Sequence, residues 1–338
     1  MFFRSLNRTS GFAEGTFVRE NPNFNLVFRS LNRTSGFAEG TFVRENPNFN
    51  LVFRSLNRTF VPMKTVIGID VGISTTKIVG LRDGKIISPM RIKATDPVAS
   101  LYGAFGRYMH DNGIQLGDVD RVMLTGVGAA YIEQPMYGLP TEHVDEFVCD
   151  GLGARYESKL DRMIVVSMGT GTSLVMCDGD DIHHIGGIGI GGGTLNGLSR
   201  LLLKTDDVKQ VVSLAMQGDI SHVNLLIGDI SAKPLPGLPM NATASLFASA
   251  QANAPREDIA LGLIYLVLQT VGSAAVLSSL NSGIRDFVLI GNLTLLPQCK
   301  SIFPMMEKLY GVHFIIPKYS EFCTAIGAAL TYKTKNEE

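Results

Sequence analysis

The sequence lacks a marked charge imbalance: 30 Lys and Arg residues are matched by 31 Asp and Glu residues, for a net charge of −1. Proteins that bind nucleic acid without sequence preference need a basic surface, so this near-neutrality argues against that class. The sequence also has only four cysteines, without CxxC or Cys/His spacing, which argues against a disulfide or metal framework. Scattered cysteines are typical of a reducing cytosol, where they pack as small apolar side chains. We therefore expect a cytoplasmic protein with no nucleic-acid partner.

Two further signatures are missing. No GxxxxGK(S/T) motif occurs, which excludes the P-loop class of nucleotide-binding proteins. No continuous apolar segment of the kind found in leader peptides lies near the start, and the glutamates there argue against a transit peptide. What the sequence does contain is 338 residues, 45% of them hydrophobic, which is enough for a large core and two domains.

Residues 1–62 form a tandem repeat whose composition differs from that of the remaining chain. Residues 3–27 recur without change as residues 28–52, and a third copy stops after Thr59. Structural repeats keep their packing positions and vary elsewhere, so identity at every position is untypical of them. The segment has eight arginines and four glutamates but no lysine or aspartate. We predict a disordered, non-functional extension with Met63 as the natural start; the alternative is a genuine partner-binding repeat.

From residue 64 onward, one layout of strands and turns occurs twice. The apolar strand TVIGIDVG is followed by a polar turn, a strand, an Asp-Gly turn and a third strand, and this order begins again at RMIVVSMG. Helical patterns occur at residues 97–112, from near Thr141 with Glu146 in the early turns, at residues 255–280 and over the closing CTAIGAALTYK. We predict an α/β protein with two domains that hold a nucleotide between two phosphate-binding turns.

The first of these turns, GIDVGISTTK, combines the residue types that a phosphate site needs. Asp70 ends the strand, Gly72 opens the turn, hydroxyl donors follow, and Lys77 supplies a positive charge. An Asp at such a position usually reaches Mg²⁺ through water, because Mg²⁺ keeps much of its hydration shell. The alternative, an ordinary polar hairpin turn, rarely concentrates these residue types.

The second turn, GTGTS, lies at the same place in the second half as the first turn does in the first half. The GIGIGGGT run that follows contains a GxGxxG match at Gly187, Gly189 and Gly192. A Rossmann loop follows the first strand of a βαβ unit, whereas this run follows a hairpin. We therefore do not expect NAD to bind here.

Residues 259–280 are 22 uncharged residues, which is the length of a membrane span. The run contains Gln269, two glycines and several serines, and it lacks flanking basic clusters. We predict a core or dimer-interface helix and no membrane partner.

Four segments in this order, DVGISTTK, VDEF, MGTGTSL and GGIGIGGGTLNGL, resemble the type II pantothenate kinases of the actin/sugar-kinase/heat-shock-chaperone superfamily. The similarity covers essentially all of residues 64–330 and includes the closing AIGAAL. The GGIGxGGGxxxGL run is its specific part, whereas the first turn is shared by the whole superfamily. The resemblance implies two ribonuclease H-like (actin-like ATPase) domains, at residues 63–162 and 163–338, with a nucleotide cleft between them.

The resemblance also implies a homodimeric enzyme that phosphorylates pantothenate with MgATP to 4′-phosphopantothenate, the first step of coenzyme A biosynthesis. Glu146 in VDEF is then the general base and Ser173 contacts pantothenate. Asp70, through water, and Asp145, which could assist it, are the candidates for contact with Mg²⁺. The implied ATP-binding residues are Asp70, Val71, Gly72, Ile73, Ser74, Thr75, Thr76, Lys77, Gly169, Thr170, Gly171, Gly192, Gly193, Thr194, Leu195, Asn196, Val208 and Asn292.

One position departs from the family pattern. The family usually has Arg just before the glycine-rich run, where it contacts pantothenate, and the aligned residue here is His184, preceded by His183. Arg offers a planar, permanently charged fork, whereas His offers a single donor in its neutral form. We expect His184 to contact the substrate and His184→Arg to raise the affinity; the alternative is that both histidines form a polar hairpin edge.

Two other functions stay open at this stage. One is a kinase of another small alcohol, such as a sugar or a pantetheine-like compound, on the same fold. The other is a non-catalytic pseudokinase that only binds nucleotide. Glu146 together with both turns favours catalysis, whereas His184 in place of the family's Arg leaves the pseudokinase as an alternative. Coenzyme A-dehydratase activator ATPases share the first turn, but they bridge an iron–sulfur cluster with cysteines, and these four cysteines show no such arrangement.

Overall fold

The computed structural model describes residues 12–18, 25–34, 37–42, 64–93, 96–233 and 236–336. By its internal contacts the chain divides into two units, Met1–Pro62 and Met63–Glu338. The first unit contains an antiparallel sheet in the order β1-β2-β3, with strands β1 (Phe12–Val18), β2 (Asn25–Thr34) and β3 (Phe37–Phe42). The predicted disorder of this unit concerns mostly residues outside the described ones, and it stays a prediction.

The second unit begins with a mixed five-stranded sheet. Its strands are β4 (Thr65–Val71), β5 (Thr75–Arg82), β6 (Lys85–Lys93), β7 (Val119–Thr125) and β8 (Thr141–His143). Their order is β6-β5-β4-β7-β8, with an antiparallel meander from β4 to β6 and parallel pairing of β7 and β8. Every residue of β4 is buried, as expected for a central strand covered on both faces. Helices α1 (Pro97–Asn112) and α2 (Glu146–Ser158) accompany this half.

A second five-stranded sheet repeats this topology. The remaining strands are β9 (Arg162–Met168), β10 (Thr172–Asp178), β11 (Asp181–Ile188), β12 (Leu225–Leu226), β13 (Thr243–Ser245), β14 (Asp286–Ile290) and β15 (His313–Ile315). The sheet order is β11-β10-β9-β14-β15, the same pattern of meander plus two parallel strands, and β12 and β13 pair separately. The predicted duplication of strands and turns is therefore present. Two mixed sheets with helices also confirm the α/β class.

The helices of the second half are α3 (Gly192–Leu203), α4 (Val208–Ala215), α5 (Ile227–Ile230), α6 (Arg256–Ser278), α7 (Cys299–Tyr310) and α8 (Cys323–Asn336). Within the described residues, α6 is long and apolar enough to cross a membrane, but 56% of its most apolar window is buried inside the protein. Leu263, Val267 and Val271 of α6 pack into the core beneath the second sheet. The helix therefore serves as a core helix.

Helices α2 and α8 each pack on the sheet of the half to which they do not belong in sequence. Ala325 and Ala329 of α8, a helix of the second half, pack on the first sheet, while Ala154 of α2 packs on the second. The two helices approach so closely that an added Cβ at Gly153 would lie 1.8 Å from the Cys323 carbonyl oxygen. Only glycine permits such a backbone contact. The predicted domain boundary between residues 162 and 163 stays a prediction, since α8 covers the sheet of the other half.

The start of α2 differs from the prediction. Thr141–His143 forms β8, and the helix begins at Glu146 instead of near Thr141. Asp145 causes this start, because its side chain accepts a hydrogen bond from the backbone N–H of Val148 at 2.9 Å and so caps the helix.

Candidate active site

A cavity of about 490 Å³ is lined by the polar turns of both halves. Its lining residues are Asp70, Gly72, Ile73, Ser74, Thr75, Lys77, Gly126, Val127, Glu146, Phe147, Ser167, Gly169, Thr170, Gly171, Thr172, Ser173, His184, Gly187, Ile188, Gly291, Asn292 and Thr324. This volume is within the usual range for a site that encloses a small-molecule ligand. We call this space the cleft.

The β4–β5 turn forms one side of the cleft. The Gly72 N–H donates to the Thr75 carbonyl at 3.0 Å and closes the turn. Because side chains alternate along a strand, Thr75 and Lys77 line the cleft while Thr76 points into the core. Lys77 Nζ lies 3.1 Å from Asp70 Oδ2, and both side chains are almost completely buried. A buried cation next to a chain of hydroxyl groups is suited to a phosphate.

The β9–β10 turn forms the opposite side. The N–H groups of Gly192 and Gly193 donate to the carbonyls of Gly169 and Thr170, each at 2.8 Å. These bonds fix the start of α3 on the second turn, so the glycine-rich run and the turn form one structure. The start of α3 also brings the positive end of the helix dipole to this turn, although the N–H groups of Gly192 and Gly193 are themselves used to hold the turn.

A side chain from the second half contacts the first turn. Asn292 Nδ2 donates to Thr75 Oγ1 at 3.4 Å across the cleft. Asn292 Oδ1 is buried without a partner among the described residues. An unsatisfied buried acceptor costs stability, so a bound ligand with a donor group would be favourable there.

Glu146 is the first helical residue of α2 and lines the cleft. Burial, and then the nearby carboxylate of Asp70, raise the pKa of Glu146 to about 7, although the ammonium group of Lys77 opposes the shift. A carboxyl with a pKa near neutrality is poised to exchange a proton under physiological conditions.

A second carboxyl lies one helical turn further along α2. Asp150 is completely buried, and its Oδ1 accepts a hydrogen bond from Thr324 Oγ1 at 2.6 Å. Burial raises the pKa of Asp150 to about 7, and Thr324 acts in the opposite direction. The hydroxyl of Ser167 also acts to lower this pKa. Asp150 is not among the residues predicted from the sequence.

The structure brings most of the predicted site residues together. Those that line the cleft are Asp70, Gly72, Ile73, Ser74, Thr75, Lys77, Glu146, Gly169, Thr170, Gly171, Ser173, His184 and Asn292. Those outside its lining are Val71, Thr76, Asp145, Gly192, Gly193, Thr194, Leu195, Asn196 and Val208.

The residues outside the lining differ in how they could act. The side chains of Val71, Thr76 and Leu195 are buried in the core, because strand alternation and the inner face of α3 direct them there. Only their backbone groups could reach a nucleotide. Asp145 is occupied as the cap of α2, so its role toward a metal stays a prediction. Val208 stays a prediction as well.

Several lining residues were not predicted from the sequence. Phe147 follows the candidate base, Ser167 ends β9, and Thr324 lies in the first turn of α8. Ser167 immediately precedes the MGTGTSL segment, and extending that segment by one residue would have found it. Nothing in the local sequence around Thr324 indicates that α8 reaches the cleft.

The four cysteines do not converge on this site. Cys149, Cys177, Cys299 and Cys323 are all buried as free thiols on four different elements. Among the described residues, no group of three or more His, Cys, Asp or Glu side chains could hold a metal ion. The burial of the four cysteines is consistent with packing as small apolar residues.

Comparisons with known proteins identify relatives of this chain. The family model described as Fumble matches residues 153–299. A type II pantothenate kinase of Bacillus cereus (strain G9842) is 26% identical over 239 residues, which is 68% of this chain and 84% of the relative. A type II pantothenate kinase of Staphylococcus aureus (strain USA300) is 34% identical over 134 residues, 38% of this chain and 50% of the relative.

Two solved structures share the fold. One is the activator of the 2-hydroxyisocaproyl-CoA dehydratase from Clostridium difficile with bound ADPNP, with a TM-score of 0.59 and 17% identity over 81% of this chain and 98% of that chain. The other is component A of the Acidaminococcus fermentans (R)-2-hydroxyglutaryl-CoA dehydratase, with a TM-score of 0.56 and 19% identity over 81% of this chain and 100% of that chain. These likenesses establish the actin-like ATPase fold. In sequence, the chain is homologous to proteins named type II pantothenate kinase, and residues 153–299 match the Fumble family model.

Proposed function

We propose that this protein transfers the terminal phosphoryl group of ATP to the primary hydroxyl of pantothenate, giving 4′-phosphopantothenate and ADP. The observation that carries the proposal is Glu146, a desolvated carboxyl in a cleft that is lined on both sides by phosphate-type turns. The named relatives are pantothenate kinases, and the fold accommodates a nucleotide in a solved neighbour with bound ADPNP.

Phosphoryl transfer leaves the protein mainly the tasks of positioning and charge compensation. Lys77 compensates phosphate charge from the first turn, and hydroxyl and N–H donors of both turns hold the phosphate oxygens. Glu146 orients the pantothenate hydroxyl and accepts its proton as the new P–O bond forms and the bond to the ADP oxygen breaks. A pKa of about 7 leaves Glu146 substantially ionised at neutral pH and still basic enough to take the proton.

The residues of the cleft are compatible with Mg²⁺ bound largely by water and phosphate. Asp70 is the strand-end carboxylate that faces the cleft, and no protein cage of three acidic or imidazole groups occurs among the described residues. Mg²⁺ typically uses one or two carboxylates plus substrate phosphates in kinases, so Asp70 suits it through a bound water. When bound, the ion would neutralise charge on the phosphates.

The proposal extends to assembly and location. We place the protein in the cytoplasm as a homodimer paired through α6. Leu277 in the last turn of this helix and Leu280 just after it are 65% and 69% exposed. Pairing of two such surfaces would remove apolar area from water. Size-exclusion chromatography with light scattering, with Leu277→Asp as the variant, tests the dimer: a monomeric native protein would contradict it.

One assay separates the proposed activity from its alternatives. ATP consumption is measured with pantothenate, pantetheine and several sugars, with Glu146→Ala as the control. We expect turnover with pantothenate that is lost in the variant. Turnover with a sugar alone would identify a kinase of another alcohol, and nucleotide binding without turnover on any acceptor would identify a pseudokinase.

A further inference from the structure

Phe147 and His184 form an aromatic stack on the wall of the cleft. Their ring centroids lie 4.1 Å apart with an interplanar angle of 16°, and both residues line the cleft. Phe147 directly follows Glu146 on α2, whereas His184 lies on β11. The stack therefore joins the helix that carries the candidate base to the hairpin that precedes the glycine-rich run.

A β-bulge places His184 in this position. Leu174 pairs with Gly186, but the next residue, Val175, pairs with His184, so Ile185 is an extra residue in β11. Residues that are directly opposite in a ladder share a face of the sheet. The bulge therefore puts His184, instead of Ile185, on the face that α2 covers. Bulges next to active sites commonly redirect a side chain in this way.

The imidazole of His184 is available to a ligand. Within the described part of the chain, it makes no hydrogen bond or ion pair, in contrast to His183, whose Nδ1 lies 3.0 Å from Asp181 Oδ1. Its ring face is fixed by Phe147, which leaves the ring nitrogens at the edge as donors.

We propose that Phe147 is a positioning residue for His184, and that the stacked pair recognises the carboxylate of an anionic alcohol substrate. The inference rests on the proposed function and adds the group that selects the acceptor. An unstacked imidazole would rotate freely, and ordering it on binding would cost conformational entropy. Phe147 removes this cost before the substrate arrives. Loss of Phe147 should therefore raise the KM for the acceptor substrate, and it should do so only when His184 is present.

A double-mutant cycle tests the inference. We expect Phe147→Leu to raise the KM for pantothenate about three- to tenfold, which is the range for losing one aromatic contact. The kcat and the KM for ATP should stay within about twofold, and Phe147→Tyr should restore the wild-type KM. In a His184→Ala background, Phe147→Leu should have little further effect, because the two residues act as a unit. For the pantothenate analogue that has a hydroxymethyl group in place of the carboxylate, Phe147→Leu and the wild type should have the same KM.

A matched control and a spectroscopic measurement complete the test. Tyr102→Leu removes an aromatic contact with Tyr137, at a centroid distance of 5.4 Å, outside the cleft lining, and should leave both KM values unchanged. The ring-proton chemical shifts of His184, measured by NMR without substrate, should lose their ring-current contribution in Phe147→Leu. An unchanged chemical shift would show that the two rings do not stack. Additive effects of Phe147→Leu and His184→Ala on the KM for pantothenate, or a fall in kcat alone, would show that Phe147 does not position His184. Absence of pantothenate turnover with the shift change intact would instead reject the proposed function.

Discussion

The acid limb of the pH–rate profile should report the ionisation of Glu146. Burial and the carboxylate of Asp70 raise its pKa to about 7, and only the ionised form can accept the proton of the substrate hydroxyl. Activity is therefore lost as the pH falls through 7. With a pKa of about 7, about half of the sites are ionised at pH 7 and about 3% at pH 5.5, so kcat/KM should fall roughly fifteenfold between these pH values. An ordinary glutamate would keep full activity over this range.

A coupled ATP-consumption assay from pH 5.5 to 8.5 measures this limb, with pantothenate below its KM. Glu146→Gln should lower kcat by a factor of about 10² to 10⁴ and abolish the limb. Asp258→Asn is a matched control, because Asp258 is also buried but binds His222 and the N–H of Asp219 instead of lining the cleft. It should leave the midpoint unchanged. A midpoint near pH 4.5, or a limb that persists in Glu146→Gln, would refute the assignment.

Four further outcomes are expected. Asp150 has a raised pKa of about 7 in the folded state, so the native protein binds more protons than the unfolded one between about pH 4 and 7, and its free energy of unfolding falls as the pH rises. The free energy of unfolding of Asp150→Asn, measured in urea relative to wild type, should therefore be a few kcal/mol higher at pH 8 than at pH 5. An equal difference at both pH values would contradict this. Gly153→Ala should cost about 1–3 kcal/mol or more in the same measurement, because its Cβ would meet the Cys323 carbonyl. His184→Arg should lower the KM for pantothenate, since guanidinium binds a carboxylate through two donors. Deletion of residues 1–62 should leave kcat and KM unchanged, and an inactive truncation would show that the repeats contribute.

Local patterns in the sequence predicted much of this fold. Strand periodicity and Asp-Gly turns revealed the two halves, and the helix expected at residues 97–112 is α1 with the same bounds. Residues of both predicted turns, together with Glu146, line the cleft. They could be singled out because residue types, spacing and the family resemblance agreed. These features depend on contacts between residues that are close in sequence.

The remaining features depend on contacts between distant residues. Strand β8 at Thr141 was taken for helix, because three residues carry too little periodicity to distinguish the two. Asp150 resembles any helical carboxylate until Thr324, 174 residues later, is placed against it. The stacking partner of His184 cannot be predicted without the bulge at Ile185. The sequence marks this bulge only by the following residue, Gly186, which has a φ of 147°.

The exchange of α2 and α8 has a consequence for how the chain reaches its native state. Each half forms a core cluster of its own on one face of its sheet, but the other face is covered by a helix encoded in the other half. During synthesis, the first sheet must wait with one apolar face uncovered until α8 leaves the ribosome. A fragment ending at residue 162 would expose the face of the first sheet that α8 covers, and a fragment starting at residue 163 would expose the face of the second sheet that α2 covers. Mixing the two fragments should bury both faces again.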